Sequence, residues 1–420
     1  MFVYKMTIIM PSYNNGKYIK QSIESILAQE VDFSYQIIIT DDASQDDSVK
    51  IIKDYENKYP HKVLALYAEK NSGLFQNYLK AVAKMNSEYF CVLDPDDYWT
   101  DCKRLQKAVD FLDNNKEYTI YATNLHRLYN DGTIELRYDW PNIDTCTSTY
   151  EDYINGRAIF SCTPSSTYRN IYFSNGIPEE FLALKGTEFE DSFRADTARN
   201  LIHLKRGKVY FVNESIGVCR YHGEGLCSKL LEFEKYITSA FAHIGYYQFF
   251  GYENLDKYIK IIKNLYICSV KEYYSALINE DFPYLNENIK NKYSYVFDWL
   301  SKHKNKSEDK RIPFSLELFS NLKNRQLIIW GTGSAAQKVI NKYNIEINQD
   351  VFFVDNDIKK QGNKYLETEI KSPEIIKNYK KAIVLIASGY YKEIIKQIRE
   401  RELCDEDRII NLYDYENNWV

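Results

Sequence analysis

The residues best suited to chemistry form a short acidic run, Asp94-Pro95-Asp96-Asp97, directly after the apolar stretch Tyr89–Leu93. Carboxylates at i and i+2 just beyond a strand can both turn toward one hard cation such as Mg²⁺ or Mn²⁺. Two carboxylates leave coordination positions open, which suits diphosphate oxygens and water better than a closed structural cage. Three other polar clusters stand at comparable places: Pro11-Ser12-Tyr13-Asn14-Asn15-Gly16, Asp41-Asp42-Ala43-Ser44 and Asn71-Ser72-Gly73. Any one of them is ordinary turn chemistry, because Asn, Asp, Gly and Pro populate turns for local reasons. Together the second and fourth clusters bring five Asp into two loops. Like charges so crowded repel unless a cation sits among them, so a divalent metal site is expected here.

Each cluster closes an apolar run. Met6–Met10, Tyr35–Thr40, Val63–Ala68 and Tyr89–Leu93 read as strands, with helical periodicity over Lys17–Ala28, Asp46–Tyr59 and Phe75–Met85 between them. This alternation, with few polar residues in the strands, predicts an α/β fold with a mostly parallel sheet flanked by helices. Ligands in such sheets bind beyond the C-terminal strand ends, where the four clusters fall. After a helix at Lys103–Asn114, Thr119–Tyr129 and Thr133–Tyr138 flank Asn130-Asp131-Gly132, a hairpin signal. A polar, irregular stretch runs to about Phe181, then a helix over Glu190–Lys205 and strands at Val209–Val212 and Ile216–Arg220.

Helical periodicity dominates from Leu230 to Leu300, and Lys302–Arg311 is a charge run that reads as a solvated linker. A second strand-helix alternation follows: Gln326–Trp330, a helix over Ala335–Tyr343, Val351–Val354, Ile383–Ala387 and a helix over Lys392–Glu402. Three parts are therefore expected: an α/β domain over 1–225, a helical segment over 226–312 and a small α/β domain over 313–420.

With 420 residues, 45% of them hydrophobic and 27% charged, the chain has the composition of a soluble globular protein, and wholesale disorder is excluded. No apolar run approaches the roughly 18 residues of a membrane span, and Met1-Phe2-Val3-Tyr4-Lys5 does not begin a secretory signal. A net charge of −5 argues against nucleic acid as a partner. The eight Cys are scattered without C-x-x-C spacing, which excludes a zinc ribbon and suits reduced thiols in the cytoplasm. The 38 Tyr would suit sugar stacking, but they equally fit a drift of composition shared with Ile, Asn and Lys.

Residues 7–100 resemble the nucleotide-binding half of family 2 glycosyltransferases with the GT-A fold. The likeness lies in TIIMPSYNNGKYIKQSIESILAQ, IIITDDASQDDS, EKNSGLFQN and YFCVLDPDDYW. It continues to Gly207-Lys208-Val209-Tyr210-Phe211 and Cys219-Arg220-Tyr221-His222-Gly223, so it covers about the first 225 residues. The resemblance implies that Pro11, Tyr13 and Asn14 lie under the base and ribose of a nucleotide sugar. Asp41 would accept from the base imide N–H, which fits a UDP-type donor. Asn71 and Gly73 would close over the nucleoside, Asp94 and Asp96 would hold ribose, diphosphate and metal, and His222 would meet the metal or diphosphate. It implies Mn²⁺ or Mg²⁺ as cofactor and a glycan or lipid-linked glycan acceptor in bacterial surface polysaccharide synthesis, capsule or lipopolysaccharide among the products. Work in the cytoplasm, at the inner membrane face, would follow; peripheral membrane association and a homo-oligomer both stay open.

Inverting transfer needs a carboxylate that takes the acceptor hydroxyl's proton. In the resembling family this base opens a helix about eleven residues before the Gly-Lys that begins the next strand. Counting back eleven from Gly207 reaches Asp196, in Arg194-Ala195-Asp196-Thr197, whereas Glu190-Asp191 has the more usual dipeptide at a different spacing. Asp196 and Asp191 are both candidates. Tyr98 and Trp99, just past the acidic run, are candidates for stacking on the acceptor sugar.

Near the C-terminus, Gly331-Thr332-Gly333-Ser334-Ala335-Ala336 joins a strand to a helix, and Asp355 ends the next strand 24 residues after Gly331. This G-x-G-x-x-A pattern predicts a Rossmann-like module, with Gly331, Gly333 and Asp355 as candidate nucleotide contacts. A structural or oligomerising role fits it as well. Two rival readings are an NAD(P)-dependent sugar-modifying oxidoreductase or epimerase built on this module, and a non-catalytic assembly scaffold. The first lacks a well-placed Tyr-x-x-x-Lys, and the second leaves Asp41, Asp94 and Asp96 without a purpose.

Overall fold

Ile8, Ile9 and Met10 are all fully buried, so the first strand is covered on both faces and shows no alternation. Burying each such side chain contributes roughly 1.5–3 kcal/mol relative to exposure. The computed structural model describes residues 2–139, 142–154, 158, 163–193, 195–223, 225, 229–250, 255–278, 286–303, 326–342, 347–380, 382–404 and 409–411. The charge run beyond His303 lies outside them.

The chain begins β1 (Tyr4–Ser12), α1 (Ile19–Leu27), β2 (Tyr35–Asp41), α2 (Ser48–Lys58), β3 (Val63–Tyr67), α3 (Gly73–Val82) and β4 (Ser87–Val92). These agree with the expected elements to within a few residues. α1 buries Ile19, Ile23 and Ile26, the spacing of one helical face. There follow β5 (Tyr98–Trp99), α4 (Arg104–Asn114), β6 (Tyr118–Tyr129), β7 (Ile134–Leu136), β8 (Thr145–Ser148), α5 (Tyr150–Ile154), β9 (Ser166–Arg169), α6 (Glu179–Leu184), α7 (Ala195–Leu204) and β10 (Lys208–Tyr221). The sheet runs β3-β2-β1-β4-β9-β6-β10-β5, with β7 on β6 and β8 on β10. Its longest ladders, β1 with β2 and β4, β2 with β3, and β6 with β10, are parallel. The large mixed α/β sheet fits the GT-A fold.

Three local differences from the sequence reading have physical causes. The stretch read as irregular contains β9, which is inserted antiparallel between β4 and β6. Its Ser166 and Thr167 are fully buried, so no apolar run marks the strand. The two strands expected around residues 209–220 are one strand, β10, whose register shifts between Val212 and Val218. The polar Asn213-Glu214 at that irregularity breaks the apolar pattern. The helix expected from Glu190 begins only at Ala195, and Glu190–Ser192 forms a separate 3₁₀ turn.

The chain divides into two compact units, Met1–Leu231 with Phe241–Ile261, and Glu232–Ala240 with Ile262–Val420. The helical segment, expected to stand apart, is thus shared between them. Its helices are α8 (Glu232–Phe249), α9 (Leu255–Ile278) and α10 (Glu287–Lys302). In the second unit a six-stranded sheet contains β11 (Leu327–Trp330), β12 (Val351–Val354), β13 (Lys364–Tyr365), β14 (Thr368–Lys371), β15 (Ile383–Ile386) and β16 (Ile409–Asn411). The order is β13-β14-β12-β11-β15-β16, parallel except for β13 with β14. Helices at Ser334–Lys342 and Tyr391–Glu400 accompany it. Among the described residues no helix is long and apolar enough to cross a membrane.

Candidate active site

The loops that follow β1, β2 and β3 are tied to one another by hydrogen bonds. Asn14 donates its backbone N–H to Ser44 Oγ at 2.8 Å and accepts from the Gln45 N–H at 2.8 Å. Its φ of +54° is the left-handed region that Asn tolerates better than most residues. Gly16 donates to Asp46 Oδ2, also at 2.8 Å. Burial raises the Asp46 carboxyl, but hydrogen bonds from Ser48 and Gly16 outweigh it and hold the group below the usual carboxylate range.

Asp41 is buried, with its carboxylate accepting from the Ser44 N–H at 2.9 Å and the Ser44 hydroxyl at 2.6 Å. Asn71 Oδ1 accepts from the Gly73 N–H at 3.1 Å, and Gly73 has φ +83°, a conformation glycine adopts without strain. Pro11 is buried at the end of β1, whereas Tyr13 is 46% exposed beside it.

At the end of β4 the acidic run folds back on itself, with the Asp97 N–H donating to the Asp94 carbonyl at 3.0 Å. His222, just past β10, places Nε2 2.9 Å from Asp96 Oδ2. Tyr18 packs on the imidazole with ring centroids 5.0 Å apart. Arg220, which the sequence reading passed over, holds this loop in place. Its guanidinium donates to the Asp96 carbonyl and, at 2.6 Å, to Gln21 Oε1, while its backbone N–H donates to Asp97 Oδ1 at 2.8 Å. The guanidinium also lies over the rings of Tyr18 and Tyr98, 5.1 and 4.6 Å from their centroids. Only the Arg-x-His spacing at the end of β10 could have flagged it.

The expectation of five converging carboxylates is corrected. Asp42 is buried and turned toward the loop after β3, accepting from the N–H groups of Ser72 and Gly73, with Lys80 Nζ at 3.5 Å. Asp97 is likewise turned to the backbone of Arg220. Backbone N–H donors and a lysine satisfy these charges, so crowding alone does not call for an ion. Among the described residues no three His, Cys, Asp or Glu side chains form a metal cage.

The Asp96 and His222 donors nonetheless fit a metal shared with a ligand. Two ligands at right angles on an ion with bonds of about 2.1 Å lie about 3.0 Å apart, close to the separation here. The carboxylate oxygen suits Mn²⁺ or Mg²⁺ whereas the imidazole nitrogen is a softer donor that favours a transition metal, and further positions are left for phosphate oxygens and water.

Trp99 is not available to stack on a sugar. It is 4% exposed, its indole N–H donates to the Pro164 carbonyl at 2.9 Å, and the Arg104 guanidinium covers its ring at 4.1 Å. Two-strand pairing with β10 draws it into the core. Tyr98 stays half-buried under Arg220.

The segment bearing both candidate bases is fastened to α3, the helix that starts at Gly73. Gln76 donates to Glu190 Oε1 at 2.6 Å, and the rings of Phe75 and Phe193 meet edge-on at 4.7 Å. Asp191 is exposed on the 3₁₀ turn. Asp196 is half-buried in the first turn of α7, where Oδ1 accepts from the Thr197 N–H at 2.7 Å. In the second unit Asp355 accepts from Thr332 Oγ1 at 2.5 Å and from Lys360 at 3.0 Å, while a side chain at Gly333 would meet open space. A Cβ at Gly331 would come within 2.7 Å of the Ala387 carbonyl, so that glycine permits a close approach of two backbones.

Residues 7–175 match the sequence pattern of glycosyl transferase family 2, which places a glycosyltransferase domain in the first unit. Residues 323–410 match a family described as C2185-like, N-terminal. The uncharacterized protein Mb1547 of Mycobacterium bovis is 28% identical over 221 residues, covering 53% of this chain and 60% of its own length. The putative teichuronic acid biosynthesis glycosyltransferase TuaG of Bacillus subtilis is 35% identical over 107 residues, 26% of this chain and 41% of TuaG. The minor teichoic acid biosynthesis protein GgaB of the same organism is 35% identical over 119 residues, 27% of this chain and 13% of GgaB. The chain thus spans 60% or less of the length of these relatives.

Proposed function

We propose that this chain is an inverting, metal-dependent glycosyltransferase. It moves a sugar from a UDP-type donor to a hydroxyl of a glycan or lipid-linked glycan during surface polysaccharide synthesis in the cytoplasm. The observation that carries the reading is the 2.9 Å approach of His222 to Asp96 at the C-terminal edge of the sheet. The family match over 7–175 and relatives named for teichoic and teichuronic acid biosynthesis support it. Catalysis belongs to residues 1–225. Residues 226–312 connect it to a Rossmann-like module over 313–420, which serves a nucleotide-binding, structural or oligomerising role.

The base rests against Tyr13 and Asn14, with its imide N–H donating to Asp41, and Asn71 and Gly73 close the nucleoside side. Asp94, Asp96 and His222 would hold Mn²⁺ or Mg²⁺, which would supply positive charge to stabilise the diphosphate leaving group. Asp196 accepts the proton of the acceptor hydroxyl as that oxygen bonds to the anomeric carbon. The bond from that carbon to the diphosphate breaks on the opposite face, so the configuration inverts and UDP leaves with the bonding pair. Arg220 keeps the loop of Asp94 and Asp96 in one geometry, which lowers the cost of reorganisation.

The test is thermal stabilisation by UDP. A shift that requires Mn²⁺ or Mg²⁺ and disappears in Asp96→Ala is expected. Stabilisation by NAD alone, with no response to UDP and metal, would overturn the reading in favour of an oxidoreductase.

A further inference from the structure

A cavity of about 440 Å³ opens at the C-terminal end of α7, within the first unit and away from the strand-end loops. Its size falls in the range of roughly 300–1,000 Å³ that small-molecule sites occupy. Four of its lining residues are aromatic: Tyr150, Tyr172, Phe181 and Phe250. Phe181 is fully buried and packs edge-on against Phe250, with centroids 5.0 Å apart, while the rings of Tyr172 and Phe250 stay half-buried at the opening. Two cations stand beside them. The Arg206 guanidinium lies 5.7 Å from the centroid of the Tyr172 ring, and Lys205 Nζ is 3.5 Å from the Phe250 carbonyl. Glu180 also lines the cavity, so the side-chain charge around it is positive by one.

Lys205 and Arg206 would suit a helix C-terminus in any protein. Here they also line a hollow with four aromatic residues. Flat apolar faces beside hydroxyl-bearing and cationic groups match a unit with C–H faces, several hydroxyls and a negative charge. We infer that this cavity is a second binding site, taking an anionic sugar or polyol unit of the acceptor polymer.

The negative charge is a carboxylate or a phosphate. The inference rests on the transferase reading and deepens it. From Asp196 to Lys205 α7 rises about 14 Å, and because Ala198–Leu204 are buried an acceptor that reaches both ends passes around the helix rather than along it. The site therefore selects charged acceptors long enough to make that turn and holds them through transfer.

Titration calorimetry of the full chain with three oligomers of matched length tests this: oligogalacturonate, oligo(glycerol phosphate) and neutral maltodextrin. One or both anionic oligomers should bind at least about tenfold tighter than the neutral one at physiological salt. Binding of the galacturonate identifies a carboxylate as the recognised charge, and binding of the glycerol phosphate a phosphate. Lys205→Ala with Arg206→Ala should weaken that binding at least about tenfold. Lys84→Ala with Lys103→Ala, which removes the same charge elsewhere, should leave it unchanged. All four residues are exposed, so the fold is retained, and the thermal midpoint checks this.

Equal binding of the neutral oligomer, or undiminished binding after loss of Lys205 and Arg206, overturns the inference. If UDP binds with Mn²⁺ but no anionic oligomer does, this inference falls and the transferase reading stands. If the oligomer binds through Lys205 and Arg206 but UDP with metal does not, the transferase reading falls and the glycan site stands.

Discussion

His222 Nε2 lies 2.9 Å from Asp96 Oδ2 and so joins the end of β10 to the loop after β4 across 126 positions of sequence. Neither residue alone distinguishes a metal site from turn chemistry. Their 2.9 Å approach is that of a hydrogen-bonded pair and also the spacing of neighbouring ligands on one ion, so it is compatible with the proposed metal site. His222→Ala should therefore weaken Mn²⁺-dependent UDP binding at least about tenfold, while leaving any metal-independent UDP binding in place. Titration calorimetry with and without Mn²⁺ checks this; equal metal dependence in the variant would remove His222 from the site.

Arg220 acts on the same loop without touching the proposed ion. Its guanidinium, lying over the rings of Tyr18 and Tyr98, donates to the Asp96 carbonyl and to Gln21, and its backbone N–H donates to the Asp97 carboxylate. Hydrogen bonds that involve a charged group are worth about 1.5–3 kcal/mol each, so Arg220→Gln should loosen the loop and reduce Mn²⁺ affinity about tenfold. Arg220→Lys should not rescue it, since a single ammonium cannot reproduce the planar fork. Electron paramagnetic resonance of bound Mn²⁺ reads this directly.

Asp196 and Asp191 separate by kinetics. A general base contributes about 10²–10⁴ in rate, so Asp196→Asn should lower kcat by at least about a hundredfold with UDP binding little changed. Asp191→Asn, on the exposed turn, should leave both close to the parent values. Transfer that survives Asp196→Asn and stops in Asp191→Asn would exchange their roles.

His203 gives the fold a pH dependence. It is fully buried on α7, with Nδ1 2.6 Å from the Arg199 carbonyl and Nε2 3.1 Å from the Arg169 carbonyl. Burial, aided by the nearby Arg199 charge, pushes its pKa down from 6.5 to about 4 against the pull of the two carbonyls. The unfolded chain then binds more protons than the folded one between those values, so stability falls as pH drops through that window. The slope is up to about 1.4 kcal/mol per pH unit from this group. Thermal midpoints at pH 7, 6 and 5 should decline, and His203→Gln should flatten the decline relative to its own value at pH 7.

Much of the first unit was legible in the sequence. β1, β2, β3 and β4 are short apolar runs and α1 has a one-sided apolar face, features set by local spacing alone. The same spacing marked the loops after those strands as the working edge. The side-chain partners there were not legible. Asp42, Asp94, Asp96 and Asp97 are alike as letters. Only the folded chain turns Asp42 to Ser72 and Gly73, and Asp97 to Arg220, while leaving Asp96 facing His222.

By itself the sequence determined the strand-helix order, the four polar strand-end loops and the shortlist of acidic residues, because period and hydrophobicity are properties of neighbours in the chain. Tertiary structure decided the rest. It placed the polar strand β9 in mid-sheet, drew Trp99 into the core, recruited Arg220 as a clamp and opened a cavity beside Lys205 and Arg206. Each of these depends on which distant element supplies a hydrogen-bond partner or a packing surface, and local periodicity holds no record of that.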